Sequence, residues 1–337
     1  MSGAGTNGPM DGPLLETSGL TRHFKVGTGL SRRSLHAVDE VDLAIGEREI
    51  VALVGESGSG KSTLARLIAQ VYKPSAGSIR YQGRPLSSLR RRRDRLAYRG
   101  AVPMVFQDPF ASLNPAYRVS HGILRSLTLH RPELSRTERE AEAERVVEAV
   151  GLTPAADVLA RYPYELSGGQ RQRIGFAQAL AHRPKLILAD EPVSMLDVSI
   201  RIGLLNVMAE LREREGVSFL YITHDIAGAR YLSDRIAVMY GGHVVETGPT
   251  EEVLARPRHP YTELLLSAVP DPRAPLDVDA ATARTDPPVV IDPVPSCRFR
   301  ARCPLAEDIC HRVTPRLRPA GPAHTAACHV TAPGTAT

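Results

Sequence analysis

At 337 residues and a net charge of +5, from 42 Lys and Arg against 37 Asp and Glu, the chain has length for about two domains and a sizeable core. No uncharged apolar run reaches the ~18 residues that a membrane-spanning helix needs. The segment Arg84–Arg99 holds seven Arg and one Asp, more than the whole surplus, and the chain has no Trp, so neither general basicity nor a supply of stacking rings points to a nucleic-acid partner.

In chain order, residues 1–13 read as a disordered tail rather than a signal peptide, lacking a basic start and an apolar core. Leu20–Val26 and Ala37–Ile45 read as strands, and Glu49–Val54 as a buried one. Gly55-Glu56-Ser57-Gly58-Ser59-Gly60-Lys61-Ser62-Thr63 follows and fits G-x-x-x-x-G-K-[ST] at every fixed position, ahead of the helical stretch Leu64–Gln70. Strand, glycine loop and helix together make a phosphate site: the loop turns successive N–H groups inward and the helix adds its free amides. Lys61 would reach the β- and γ-phosphates and the Ser62 hydroxyl would ligate Mg²⁺. The loop alone indicates a nucleoside triphosphate, without saying which.

Ser78–Tyr81 reads as a short strand. Arg90–Arg93 reads as a solvated helix face, with an anionic-lipid or nucleic-acid patch as the alternative. Ala101–Phe106 is a short apolar stretch ending at Gln107-Asp108-Pro109. Beyond it the pattern turns helical. Ser135-Arg136-Thr137-Glu138 is a capping box opening a helix that Gly151 ends. Leu166-Ser167-Gly168-Gly169-Gln170 precedes a helix from about Arg171 to Ala181. Leu186–Ala189 is a buried strand that delivers Asp190 and Glu191 at its tip. Ile200–Glu215 is an amphipathic helix stopped by Gly216, and Val217–Thr223 a strand that ends at His224. Ile236–Tyr240 and His243–Glu246 form a hairpin across Gly241-Gly242. Residues 270–296 have no core pattern and read as a linker. Cys297, Cys303, Cys310 and Cys328 gather near the end of the chain, where clustered thiols in a reducing compartment suggest a metal rather than disulfides.

Phosphate loop, Gln107, LSGGQ, Asp190-Glu191, Asp197 and His224 in this order resemble the ATP-binding subunit of ABC transporters, from about Leu14 to Val269. Gln107–Pro115, Arg258-His259-Pro260-Tyr261-Thr262 and the cysteine tail resemble the oligopeptide/dipeptide importers, of the OppF/DppF type. The resemblance implies an α/β fold: a P-loop ATPase core with an antiparallel β subdomain, a helical signature subdomain at about 110–180, and a small Cys-rich extension at 297–330. It implies ATP and Mg²⁺ as ligands, with Ser62, Gln107 and Asp190 on the metal. Glu191 would be the general base, His224 would touch the γ-phosphate, and Gln107 would sense the nucleotide. Phe24 is the candidate for stacking on adenine, with plain core packing as its alternative. Ser167, Gly168, Gly169 and Gln170 would bind the ATP of a facing subunit. Asp197 would lie across that interface, where Met195 replaces the family's usual Ala.

The implied partners are a second, different ATPase chain, two membrane permease subunits and an external substrate-binding protein, with the chain peripheral on the cytoplasmic face of the plasma membrane. The implied function is ATP hydrolysis energising peptide uptake. The alternatives are the same role in a nickel or other small-solute importer, or a soluble ABC ATPase without a transport role. The C-x5-C-x6-C-x17-C spacing resembles the importers' cysteine motif, part of which carries [4Fe-4S]; zinc and unmetallated thiols stay open. Nothing in the sequence brings these cysteines near ATP, so their role reads as structural or regulatory.

Overall fold

Strands that are apolar on both faces end up in the middle of a sheet covered on both sides, and this chain has three. They are β3 (Ile50–Val54), β7 (Leu186–Asp190) and β8 (Ser218–Thr223), every residue of which is buried. The computed structural model describes residues 12–27, 32–108, 113–268 and 289–331. Residues 1–11 of the expected tail, 270–288 of the expected linker, and Pro109 to Ser112 lie outside them.

The other strands are β1 (Leu15–Val26), β2 (Arg33–Ile45), β4 (Ala76–Tyr81), β5 (Arg84–Pro85), β6 (Met104–Val105), β9 (Arg235–Tyr240), β10 (His243–Pro249), β11 (Arg318–Gly321) and β12 (His324–Ala326). Four of them form an antiparallel sheet in the order β2-β1-β4-β5; eight form a second sheet in the order β11-β12-β10-β9-β3-β8-β7-β6. From β9 to β6 this larger sheet is parallel, and β10, β12 and β11 extend it antiparallel. The helices are α1 (Lys61–Ile68), α2 (Arg92–Ala101), α3 (Val119–His130), α4 (Arg136–Ala149), α5 (Ala155–Ala160), α6 (Gly168–Leu180), α7 (Val198–Glu215), α8 (Ile226–Leu232), α9 (Thr250–Ala255) and α10 (Pro260–Ser267).

The strand period of two splits the core. Ile50, Ala52 and Val54, with Ile187, Ala189, Phe219 and Tyr221, face one apolar cluster that continues into α3–α7. Val51 and Leu53, with Leu186, Leu188, Leu220 and Ile222, face a second cluster shared with α1 and the antiparallel sheet. The phosphate loop sits at the end of β3, between the two.

Most local signals hold. Ser135 and Glu138 exchange the reciprocal bonds of a capping box, Gly216 ends α7 with φ 69°, and Gly241 and Gly242 turn the hairpin with φ 52° and 87°. Arg90–Arg93 are exposed. Several boundaries differ: β1 starts at Leu15 rather than Leu20 and β2 at Arg33 rather than Ala37. The helix expected from Arg171 starts at Gly168, because Ser167 and Gln170 form a capping box of their own. In Ala101–Phe106 the strand is limited to β6, since α2 runs through Ala101. The end of the chain carries β11 and β12, which no periodicity marks at such length.

Two contacts anchor this last segment. The carboxylate of Glu246, fully buried in β10, accepts the amides of Arg258 and His259 and lies 2.7 Å from His324 Nε2. At the start of the segment Val290 O accepts from His36 N at 2.9 Å, and Asp292 accepts from Ser34 N at 2.7 Å. Among the described residues no helix is long and apolar enough to cross a membrane.

Burial keeps three histidines neutral, holding His182 at about 3 and His243 and His259 at about 4, below the ordinary 6.5. His259 Nδ1 accepts the Tyr261 N–H at 3.1 Å, which an imidazolium could not do. The unfolded chain takes up these protons first, so the contribution to stability is complete above about 6.5 and is lost as pH falls toward about 4. Each histidine should cost on the order of 1 kcal/mol per pH unit in that window. Melting temperature should drop between pH 6.5 and 4.5, less steeply in His259→Asn; a flat profile counts against this account.

Candidate functional site

Two glycines shape the loop. A Cβ on Gly55 would stand 2.2 Å from Met239 O, and one on Gly60 2.2 Å from Ala37 O, and both have positive φ. The loop therefore packs backbone to backbone against β9 and β2. Lys61, 4% exposed at the first position of α1, donates from Nζ to Gly55 O at 2.7 Å and Glu56 O at 2.8 Å. Burial lowers its pKa, while Glu191, Asp190 and Glu56 pull the other way.

The acids arrive from β7. Asp190 is the last residue of the strand, 4% exposed, and accepts the Ser62 hydroxyl at 2.8 Å. Burial raises its pKa, and the Ser62 hydrogen bond does not cancel this. Two oxygen donors beside the loop are the ligand type that a hard divalent cation takes. Glu191 sits at φ 47°, a backbone state uncommon for a residue with a side chain. Its N–H bonds Ile222 O at 2.9 Å, which ties the turn to β8. Its carboxylate accepts Gln107 Nε2 at 3.2 Å and lies 3.3 Å from His224 Nδ1. The sequence brings Gln107, Glu191 and His224 from three separate strand ends to one point.

Lys61, Ser62 and Glu191 open onto a cleft of about 650 Å³ lined also by Phe24, His36, Ser57, Gly58, Gly60 and Thr63, among others; Gln107, Asp190 and His224 are not part of that lining. Phe24 lies on its wall, edge-on to Tyr72 at 5.4 Å and beneath the Arg22 guanidinium at 4.5 Å. Ser167, Gly168, Gly169 and Gln170 are not part of that lining. They open α6, where Ser167 and Gln170 cap each other and a Cβ on Gly169 would meet Ile200 at 2.5 Å. Ser167 is exposed, and so are Met195, Val198 and Ile202 close by.

Four residues contribute without a signal in the sequence. Val289 and Val290 line the cleft, and Arg298 bonds Gly241 O and Asp39. Burial would raise the Asp39 pKa, but the His36 and His23 hydrogen bonds and the Arg298 charge outweigh it and hold the carboxyl at about 2. Arg302 pairs with Glu56 inside the phosphate loop. These partners lie 246 to 259 residues apart, beyond any local pattern. Arg298 and Arg302, interleaved with Cys297 and Cys303, bond Gly241 on the cleft wall and Glu56 in the phosphate loop.

Cys297 and Cys310 are buried, Cys303 and Cys328 half-buried, and Cys297 N donates to Cys310 O at 2.8 Å. Burial, and then the three neighbouring thiols, push Cys297 up to about 11. Among the described residues no three of the sulphurs lie within 4.8 Å of one another.

Comparison with known proteins matches residues 38–194 to a family described as ABC transporter, and residues 245–310 to one described as the oligopeptide/dipeptide transporter C-terminal region. The chain is 41% identical over 320 residues to the putative oligopeptide transport ATP-binding protein YkfD of Bacillus subtilis, covering 94% of this chain and 95% of that protein. It is 41% identical over 322 residues to the oligopeptide transport ATP-binding protein AppF of the same organism, covering 94% and 97%. Among solved structures it resembles the dimeric post-hydrolysis state of the ATP-binding cassette MJ0796 bound to ADP and Pi, at TM-score 0.62 and 28% identity, over 70% of this chain and 98% of that one.

A raised carboxyl pKa stabilises the fold below the ordinary value of 3.8 and loses that contribution as pH rises through the raised value. At neutral pH the ionised Asp190 is therefore a cost to the ligand-free fold. Asp190→Asn should raise its melting temperature and lower Mg²⁺-dependent ATP turnover about 100-fold or more. A melting temperature below wild type would refute the electrostatic part.

Proposed function

The chain belongs to the ABC transporter family, within its oligopeptide/dipeptide branch, and from that premise we propose that it is the ATP-hydrolysing subunit that energises a peptide importer. The observation that carries the catalytic assignment is the meeting of Gln107, Glu191 and His224 beside the Ser62–Asp190 pair. ATP enters the cleft with its phosphates along the loop amides, and Lys61 exchanges the carbonyls of Gly55 and Glu56 for phosphate oxygens. Ser62, Asp190 and Gln107 would hold Mg²⁺, which when bound would neutralise charge on the phosphates. Glu191 accepts a proton from the attacking water while Gln107 and His224 both hold its Oε2 oxygen, and His224 faces the γ-phosphate. Phe24 provides the ring for adenine.

The signature residues act in trans. Ser167 is exposed at a helix start outside the chain's own cleft, and the exposed Met195, Val198 and Ile202 belong to the segment whose Leu196 and Ile200 face Gly168 and Gly169. A facing ATPase subunit, here a different chain, brings its ATP to this surface, and Asp197 lies at the seam. Permease subunits dock in the separate cleft of about 530 Å³ between Met104, Phe106, Gln172 and His182. This makes the protein a peripheral subunit on the cytoplasmic face of the membrane, working with two permeases and an external binding protein.

Cys297, Cys303, Cys310 and Cys328 form the site for a [4Fe-4S] cluster. Four adjacent, partly buried thiols support it, and a larger group spreads its thiolates more widely than zinc. A tetrahedral zinc site with Zn–S bonds of about 2.3 Å needs all its sulphurs about 3.8 Å apart, and among the described residues no three of these lie within 4.8 Å of one another.

Glu191→Gln should keep ATP affinity and lower turnover about 100- to 1,000-fold; unchanged turnover in the complex with its partner subunits removes Glu191 as base. Anaerobically purified protein should be coloured and carry about four iron atoms per chain. Zinc in place of iron, or colourless protein without metal, overturns the cluster assignment.

A further inference from the structure

The phosphate loop contains an acid where a polyanion has to bind. Glu56 follows Gly55, and its free carboxylate would repel a triphosphate and compete for Lys61. Three partners hold this residue. Its N–H donates to Tyr261 Oη at 2.8 Å, its carbonyl accepts from Lys61 Nζ at 2.8 Å, and its carboxylate accepts Arg302 Nη1 and Nη2 at 2.8 and 2.9 Å. The Arg302–Glu56 pair is two-pronged and largely withdrawn from water, with the side chains 11% and 27% exposed.

Arg302 is itself fixed in place. Its guanidinium lies 5.7 Å from the Tyr240 ring and 5.8 Å from the Phe299 ring. Those rings pack with Tyr261 at centroid distances of 4.5 to 5.5 Å, joining the end of β9, the start of α10 and the cysteine segment. Arg302 N donates to Phe299 O at 2.9 Å, which closes a turn between Cys297 and Cys303. The turn thus aims one cation at one phosphate-loop carboxylate.

We propose that Arg302 is a positioning residue for nucleotide binding, neutralising Glu56 and bracing the phosphate loop from the C-terminal segment. The inference rests on the ATPase reading of the cleft and makes the segment after residue 289 a working part of it. With Glu56 neutralised, Lys61 is left to the phosphates; without Arg302, the Glu56 carboxylate stands against the incoming charge.

The test uses the full-length chain and the magnesium complex of an imido-linked, non-hydrolysable ATP analogue, with binding measured by calorimetry and turnover measured alongside. Arg302→Ala should raise Kd, and KM for ATP in parallel, about tenfold, with kcat at saturation changed by less than about twofold. Arg302→Lys keeps the charge but not the fork and should fall between. Arg302→Ala combined with Glu56→Gln should recover most of the lost affinity, because the carboxylate that needed a counter-charge is gone. A merely structural arginine would give no such rescue. If Arg302→Ala does not fold, Arg302→Lys against Arg302→Lys/Glu56→Gln makes the same comparison. Affinity unchanged in the single variants, or a double variant no better than its parent, overturns the proposal. Failure of the wild-type chain to bind the analogue overturns the ATPase reading instead.

Discussion

An ammonium group buried among backbone carbonyls is the constraint on which this molecule turns. Lys61 has left water almost completely, so its protons go to Gly55 O and Glu56 O, and the loop must curl tightly enough to offer both. That curl is available because β9 and β2 press directly on two glycines. The acids at the end of β7 are placed against the same charge, and each draws its own supports: Ser62 for Asp190, Gln107 and His224 for Glu191. A triphosphate bound there would replace contacts that the protein makes with itself.

What could be read from the sequence divides along a physical line. β3, β7 and β8 were legible because strands buried on both faces must be apolar throughout, and the phosphate loop because its glycines are fixed by spacing. Helix starts were legible where a hydroxyl and an amide or carboxylate stand three residues apart, as at Ser135 and Ser167, although the second was placed three residues late. The roles of Arg302 and Arg298 were not legible. A salt bridge spanning about three-quarters of the chain leaves no periodicity, and in sequence each arginine looks like any surface cation. The same holds for Val290, which reaches the cleft through one backbone bond to His36.

The C-terminal segment changes the picture that composition suggests. Read as a tail of cysteines after a linker, it has little reason to concern ATP. In the fold it crosses the β9–β10 turn, sets its aromatic ring on Tyr240 and Tyr261, and places its arginines at both ends of the phosphate-binding region.

The strand β12 has a consequence of a different kind. By pairing with Glu246 and Thr247 it takes up backbone groups along β10 that would otherwise form an open margin on the large sheet. The new margin, β11, is four residues long and contains Pro319, and the opposite margin, β6, is two residues long. Short, proline-bearing borders offer little template for adding strands from another molecule. The last residues of the chain thus act as a selvage, keeping a sheet of eight strands from growing by recruitment of its neighbours.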